Sequence, residues 1–146
     1  MMKRLDQRGV AALEFCLVAV PLFTLMFVIL DLGRYAITEQ SLWALANAQA
    51  RYVAINCYLP AEVAKTSPSG CTSSAANSST YTLTAAQMQT VAPFLSGAGL
   101  TPTVSIGVTN GGSPLTITVS LTNFTMLTPV LSAALPAPSA STSIPF

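Results

Sequence analysis

A long apolar run near the N-terminus constrains this chain more than any other feature. Residues 10–30 read VAALEFCLVAVPLFTLMFVIL, and Glu14 is the one charged residue among them. A helix needs about 20 apolar residues to cross the ~30 Å hydrocarbon core of a bilayer. The sequence therefore predicts a transmembrane helix over residues 10–30.

The charges that flank this run indicate its orientation. Three basic residues precede it and Asp31 and Arg34 follow it, so the basic excess predicts a cytoplasmic N-terminus. A secretory signal peptide has a shorter apolar region that ends at a small-residue cleavage site. Here the apolar run continues into a helical pattern, which favours a retained anchor with everything after Asp31 outside.

The remaining charges limit what the outer part of the chain can do. Only 8% of the residues are charged, histidine is absent, and no charged residue follows Lys65. A nucleic-acid-binding surface would need a basic patch, and general acid–base catalysis or hard-metal binding would need carboxylates or imidazoles. We therefore expect no catalytic residues, no metal, no cofactor and no nucleic-acid partner.

A carboxylate inside a membrane helix raises the free energy of insertion, so its presence indicates a functional role or a partner. The sequence RGVAALEF over residues 8–15 resembles the processing site of type IV pilins, with a short basic leader over residues 1–9, a glycine, and glutamate as the fifth residue after it. The resemblance implies that a prepilin peptidase cuts between Gly9 and Val10. The α-amino group of Val10 would then pair with Glu14 of a neighbouring subunit, and this pairing would favour one axial register of the subunits. Phe15 follows Glu14 at a position where the major pilin of the tight adherence pilus usually has tyrosine. Alternatively, Gly9 merely opens the helix and Glu14 extends toward the head groups.

Two further segments narrow the resemblance. Residues 31–35 (DLGRY) and 48–54 (AQARYVA), together with residues 8–15, resemble the TadE-like proteins, which are pilin-like components of the tight adherence (Tad, or Flp) pilus system. The similarity is specific from about Arg8 to Ala54. It implies an inner-membrane minor pilin or pseudopilin with a periplasmic outer domain, which contributes to pilus initiation, assembly or tip and hence to adhesion, with a prepilin peptidase and other pilus subunits as partners.

A helical pattern continues beyond the membrane segment. One face carries Tyr35, Leu42, Leu45, Ala46, Gln49 and Val53, and the opposite face carries Gln40, Asn47 and Arg51. This period predicts one helix over residues 10–56, in which residues 31–58 form the extramembrane part and carry a domain on their apolar stripe.

Residues 59–146 are predicted to form the outer domain. Cys57 and Cys71 can form a disulfide across a loop over residues 59–81 if that side is oxidising. We expect a short helix over residues 84–91, with Thr84 as its cap, and a β-hairpin over residues 103–122, with its turn at residues 110–113. Residues 126–135 are expected to form a helical turn or an apolar loop, and residues 139–144 a third strand. The predicted fold class is α+β: a long N-terminal helix packed on a small antiparallel sheet.

Two other functions compete with pilus assembly. A permanent single-pass periplasmic scaffold would keep its leader and would tolerate loss of the Glu14 carboxylate. A membrane-tethered enzyme would need a nucleophile and a base, which these residues do not assemble, so we expect no enzyme.

Overall fold

The computed structural model of the chain describes residues 7–65, 71, 81–108 and 115–144. Its first helix, α1, begins at Gln7 and ends at Val53, and it contains Pro21 without interruption. A π-helical turn, Ala54–Tyr58, and a short helix, α2 (Leu59–Val63), continue it. The long helix predicted over residues 10–56 is confirmed, but the loop predicted from Leu59 is wrong for residues 59–63, which are helical.

The π-helical turn lies directly before Pro60. In this turn the Leu59 N–H donates to the carbonyl of Ala54, five residues back. Proline has no N–H, and in a regular α-helix its ring clashes with the carbonyl four residues earlier. The wider turn accommodates Pro60, so the chain remains helical where the sequence indicated that the helix had ended.

Two short helices precede the sheet. Helix α3 (Ala85–Val91) begins with the predicted cap at Thr84: its hydroxyl accepts from the Gln87 N–H, and the Gln87 side chain accepts from the Thr84 N–H. Pro93 follows α3 and begins α4 (Pro93–Gly97). A proline at the first helical position gives up an N–H that would have no partner in the helix.

The sheet has three antiparallel strands in the order β1-β2-β3. These are β1 (Pro102–Val108), β2 (Leu115–Leu121) and β3 (Ser139–Ile144). Ile106 pairs with Ile117, and Val119 pairs with Ala140. Both the predicted strand pairing and the third strand are confirmed, whereas the predicted turn at residues 110–113 lies outside the described residues.

The aliphatic face of the sheet packs on the second half of α1. Every second residue of β2 is buried, and these side chains meet the buried stripe of the helix. The main members of this core are Leu42, Leu45, Ala46, Val53, Ile106, Leu115, Ile117, Val119, Leu121 and Ala140. The opposite face of the sheet carries serine and threonine hydroxyls, among which Thr103 bonds to Ser120 at 3.1 Å. The arrangement is α+β, as predicted.

Two connections complete the domain. Helix α5 (Pro129–Ala134) lies between β2 and β3. A disulfide joins Cys57, in the π-helical turn, to Cys71. The covalent link therefore attaches the segment after α2 to the outer end of the long helix.

Gln49 fastens the segment before α3 to the helix. Its side chain is fully buried, donates to the Tyr81 carbonyl at 2.6 Å and accepts from the Leu83 N–H at 2.9 Å. The amide thus satisfies two backbone groups in the way that a neighbouring strand would, and it fixes residues 81–83 against α1.

Replacement of Gln49 by leucine is expected to lower the free energy of unfolding by about 2 to 6 kcal/mol, because two backbone groups lose their partners at about 1–3 kcal/mol each. Chemical denaturation of the detergent-solubilised protein measures this loss. Gln40→Leu is the matched control, since Gln40 is exposed on the opposite face of the same helix and the change should stay within about 0.5 kcal/mol. Equal stability of the two variants would show that the Gln49 bonds contribute nothing.

Candidate assembly and membrane-anchoring site

The first half of α1 is left uncovered by the rest of the chain that the structure describes. Residues 9–30 are exposed, apart from half-buried Ala19 and Val28. The helix that contains them is long and apolar enough to cross a membrane, and its most apolar window is wholly uncovered. An apolar surface of this size on a folded chain indicates contact with lipid or with another protein. The segment is compatible with single-pass membrane anchoring.

The predicted processing residues lie together in the first turns of α1. Gly9, Val10, Glu14 and Phe15 are all exposed. Val10 and Glu14 are four residues apart and therefore share one face of the helix. Residues 1–6 of the predicted leader lie outside the described residues.

Gly9 has no structural role within the described chain. A Cβ added at Gly9 would meet nothing within 4 Å, and its backbone is helical. Alanine at this position would therefore fit, and it favours a helix by about 1 kcal/mol over glycine. A requirement for glycine at this position would have to come from a partner that reads this position.

The Glu14 carboxylate is equally free of internal contacts. Within residues 7–65, 71, 81–108 and 115–144, no group pairs with it or hydrogen-bonds to it. A carboxylate in an apolar helix is costly when it lacks a partner, so the sequence places here a group whose use lies outside the described fold.

A second exposed surface continues along the outer half of α1, opposite the domain. We call it the outward face; it comprises Gly33, Ala36, Ile37, Gln40, Trp43, Ala44 and Asn47, all of them exposed. A Cβ added at Gly33 would meet nothing within 4 Å. Near the membrane segment the outward face consists of small or apolar residues, and toward Asn47 and Arg51 it becomes polar.

The aromatic residues of this region fall on different faces. Tyr35 packs edge-to-face on Phe124, with ring centroids 6.1 Å apart, and belongs to the domain contact. Trp43 remains 45% exposed. Of the two aromatic residues, Trp43 is therefore the one available to a partner.

Asp31 attaches the outer domain to the helix where the apolar run ends. Its side chain is only 2% exposed. One oxygen accepts from the Leu127 N–H at 3.2 Å, and the other accepts from the N–H and the hydroxyl of Thr128, both at 2.7 Å. Asp31 is thus the first buried residue of α1 after the apolar run, and its carboxylate fixes the segment before α5.

These contacts make the stability of the domain depend on pH. The Thr128 hydroxyl, followed by the two backbone N–H groups, holds the pKa of Asp31 below its ordinary value of 3.8. A carboxyl with a lowered pKa in the folded state contributes stability above its unfolded pKa and loses it as the pH falls through the folded pKa.

Asp31→Asn is therefore expected to reduce stability at neutral pH and to flatten the acid limb of the stability curve below about pH 4. Denaturant titrations of wild type and variant at a series of pH values measure both effects. Glu39→Gln, on the same helix, controls for the loss of a carboxylate. Parallel acid limbs for wild type and Asp31→Asn would contradict the role given to Asp31.

The sheet side of the domain contains one apolar groove of about 430 Å³, between α3, α4 and the start of β1. Its lining residues include Met88, Leu95, Leu100 and Pro102, and none of the residues that line it is titratable. Among the described residues, no three His, Cys, Asp or Glu side chains are grouped so that they could hold a metal ion. The groove is mainly apolar, with Gln89, Ser96 and Thr101 as its polar side chains.

The fold defines a class of protein in which one exposed apolar helix at the N-terminus carries a small α+β domain on its second half. Residues 9–51 match the family model of TadE-like proteins, which confirms the predicted resemblance over that part of the chain. The match lies within α1 and includes both Asp31 and Tyr35, which hold the domain. No curated protein and no solved structure matches the chain.

Sequence reasoning placed Gln49 on the covered face but missed its bonds, and it used Asp31 as a flanking charge and as part of the DLGRY segment without predicting its contacts. A signal was present for both. The buried stripe runs through residues 31, 35, 38, 42, 45, 49 and 53 at helical spacing, so Asp31 and Gln49 are polar residues on the buried face. A polar residue at such a position needs a hydrogen-bond partner.

Proposed function

We propose that this chain is a minor pilin or pseudopilin of a Tad-type pilus, and that it acts in pilus initiation, assembly or at the tip. It is inserted in the inner membrane by residues 10–30, with its outer domain in the periplasm, and it joins other pilus subunits through α1. The observation that carries the proposal is the TadE-like match over residues 9–51, a segment whose surfaces opposite the domain are free.

The distribution of surfaces supports an assembly role. The domain covers one face of the outer half of α1, whereas residues 9–30 and the outward face remain exposed. Exposed apolar surface of this extent indicates contact with lipid or with another protein. In this proposal residues 10–30 first lie in lipid and then pack against the same segment of other subunits, while the outward face meets those subunits beyond the membrane.

Glu14 and the processing site have defined tasks in this mechanism. Cleavage between Gly9 and Val10 by a prepilin peptidase leaves a positive α-amino group on Val10. That amine pairs with Glu14 of a neighbour in the apolar bundle, where an unpaired charge is strongly disfavoured. Only one axial register pairs both groups, so the charge pair selects the register. The proposal assigns no catalysis to the chain. The chain would contribute to adhesion indirectly, through the pilus fibre that it helps to assemble.

The outward face provides a direct test. Ile37→Lys places a charge on a residue that is 47% exposed, so the fold should be retained while docking of another helix is blocked. We expect the variant to be present in membranes and lost from sheared extracellular fibres, as measured by quantitative mass spectrometry of both fractions. Val63→Lys is the matched control, because Val63 is 86% exposed on α2 and lies outside the outward face.

The result also separates the proposal from its main alternative. A permanent periplasmic scaffold would be absent from the fibre fraction in wild type, and piliation would be indifferent to Ile37→Lys. Two results together would contradict the assembly role: the wild-type protein is found in the membrane fraction and not in the fibre fraction, and cells that lack the protein still make normal fibres.

A further inference from the structure

The segment that Asp31 holds has an unusual surface. We call residues 126–131, which run from the end of the β2–α5 connection into α5, the foot. Leu127 within it is 67% exposed. Among the large apolar side chains whose burial the structure describes from residue 81 onward, it is the most exposed. The Leu127 backbone is fixed to Asp31 while its side chain faces away from the core.

Two contacts show which way this segment runs along the helix. Phe124 packs on Tyr35, and Leu127 and Thr128 bond to Asp31. The chain therefore descends by one turn of α1, about 6 Å at 1.5 Å per residue, toward the N-terminal end of the helix. The foot therefore reaches the level of Asp31.

That level coincides with the end of the apolar run. Leu30 and Leu32, which flank Asp31, are themselves exposed. Leu127, whose N–H bonds to Asp31, therefore lies at the level where the apolar run of residues 10–30 ends, and its exposed side chain adds an apolar group there. No charged residue follows Lys65 in the sequence, so the foot and the chain around it carry no side-chain charge that would oppose contact with a lipid surface of either sign.

We propose that the foot inserts the Leu127 side chain into the boundary between the head groups and the acyl chains of the membrane. The occupant of this surface is lipid, because Leu127 lies at the outer end of an exposed apolar helix segment that is long enough to span a membrane. Apolar side chains at this depth gain contact with the acyl boundary. The chain then touches the membrane at two points, so the domain cannot swing freely about the helix exit. This inference rests on the membrane anchoring by residues 10–30 and not on pilus assembly.

Tryptophan scanning tests the proposal in the full-length protein. Trp43 is the one tryptophan of the chain, so Trp43→Phe gives a silent background for Leu127→Trp. The protein is reconstituted in phosphatidylcholine vesicles with and without brominated acyl chains, which quench tryptophan that lies among them. Leu30→Trp is the control within the membrane. Val63→Trp is the control far from it, about 45 Å farther along the helix.

We expect quenching of Leu127→Trp within about twofold of Leu30→Trp and several-fold above Val63→Trp. Quenching no greater than that of Val63→Trp would overturn the proposal. Blue-shifted emission that resists brominated lipid and is lost when the protein is diluted in excess lipid would also overturn it, because a second copy would then cover the foot. An unquenched Leu30→Trp would remove the anchoring on which the proposal rests. A failure of pilus assembly in cells leaves every one of these vesicle signals unchanged, so the two ideas fail separately.

Discussion

Replacement of Glu14 by leucine is expected to remove the chain from extracellular fibres almost completely while its amount in the membrane is maintained. Insertion becomes easier, because a carboxylate in a membrane helix costs about 2.5–3.5 kcal/mol at the centre and less near the surface. The fold is retained, since Glu14 is exposed and contacts no other described residue. What is lost is the charge that pairs with the amine of a neighbouring Val10.

Two further substitutions at this position make the prediction specific. Glu14→Gln keeps the size and polarity but not the charge, so it should fail in assembly like Glu14→Leu. Glu14→Asp keeps the charge on a shorter side chain and should retain part of the incorporation. Quantitative mass spectrometry of membrane and sheared-fibre fractions measures all three. Full incorporation of Glu14→Leu would refute the register mechanism and favour a permanently anchored scaffold.

The second large effect is expected at the disulfide. Cys57→Ser combined with Cys71→Ser should lower the free energy of unfolding of the outer domain by about 3 kcal/mol, the value for a closed loop of about 15 residues in the chain-entropy model. The two cysteines are separated by 14 positions. A domain with so small a core has little stability to spare, so the protein should also become sensitive to periplasmic proteases.

The chain contains its own control for this experiment. Cys16 is exposed and free, and it lies in the apolar segment, so Cys16→Ser should leave the unfolding curve unchanged. Denaturation with and without a reducing agent gives a second comparison, since reduction should affect wild type and not the double variant. A double variant as stable as wild type would contradict the stabilising role of the bond.

The sequence predicted the parts of the fold that depend on local periodicity. The covered stripe of α1 was evident because apolar residues recur every three to four positions from Leu42 to Val53. The strands were evident because Leu115, Ile117, Val119 and Leu121 alternate with hydroxyl side chains. Both patterns correspond directly to burial in the structure.

The parts that the sequence did not predict depend on contacts between distant residues or on local backbone geometry. Asp31 bonds to residues 96 and 97 positions away, and no periodic pattern links such a pair. The helical residues 59–63 were assigned to a loop because Pro60 is a helix breaker in a regular α-helix, and the π-helical turn that accommodates it leaves no signature in composition.

The candidate site divides in the same way. Gly9, Val10 and Glu14 were found by resemblance to pilin processing sites, and the structure adds that all three are exposed. The use proposed for them depends on a peptidase and on neighbouring subunits, which the fold of one chain does not contain. The foot could be found only after the Asp31 contacts had placed Leu127 at the end of the apolar run.

The mature N-terminus tests the central claim most directly. Intact mass and terminal sequencing of the protein from membranes, with and without the prepilin peptidase, show whether the bond between Gly9 and Val10 is cut. The assembly mechanism predicts a chain that starts at Val10 when the peptidase is present and keeps its leader when it is absent. A leader retained through Gly9 in the presence of the peptidase would contradict the mechanism, since no α-amino group would then exist to pair with Glu14.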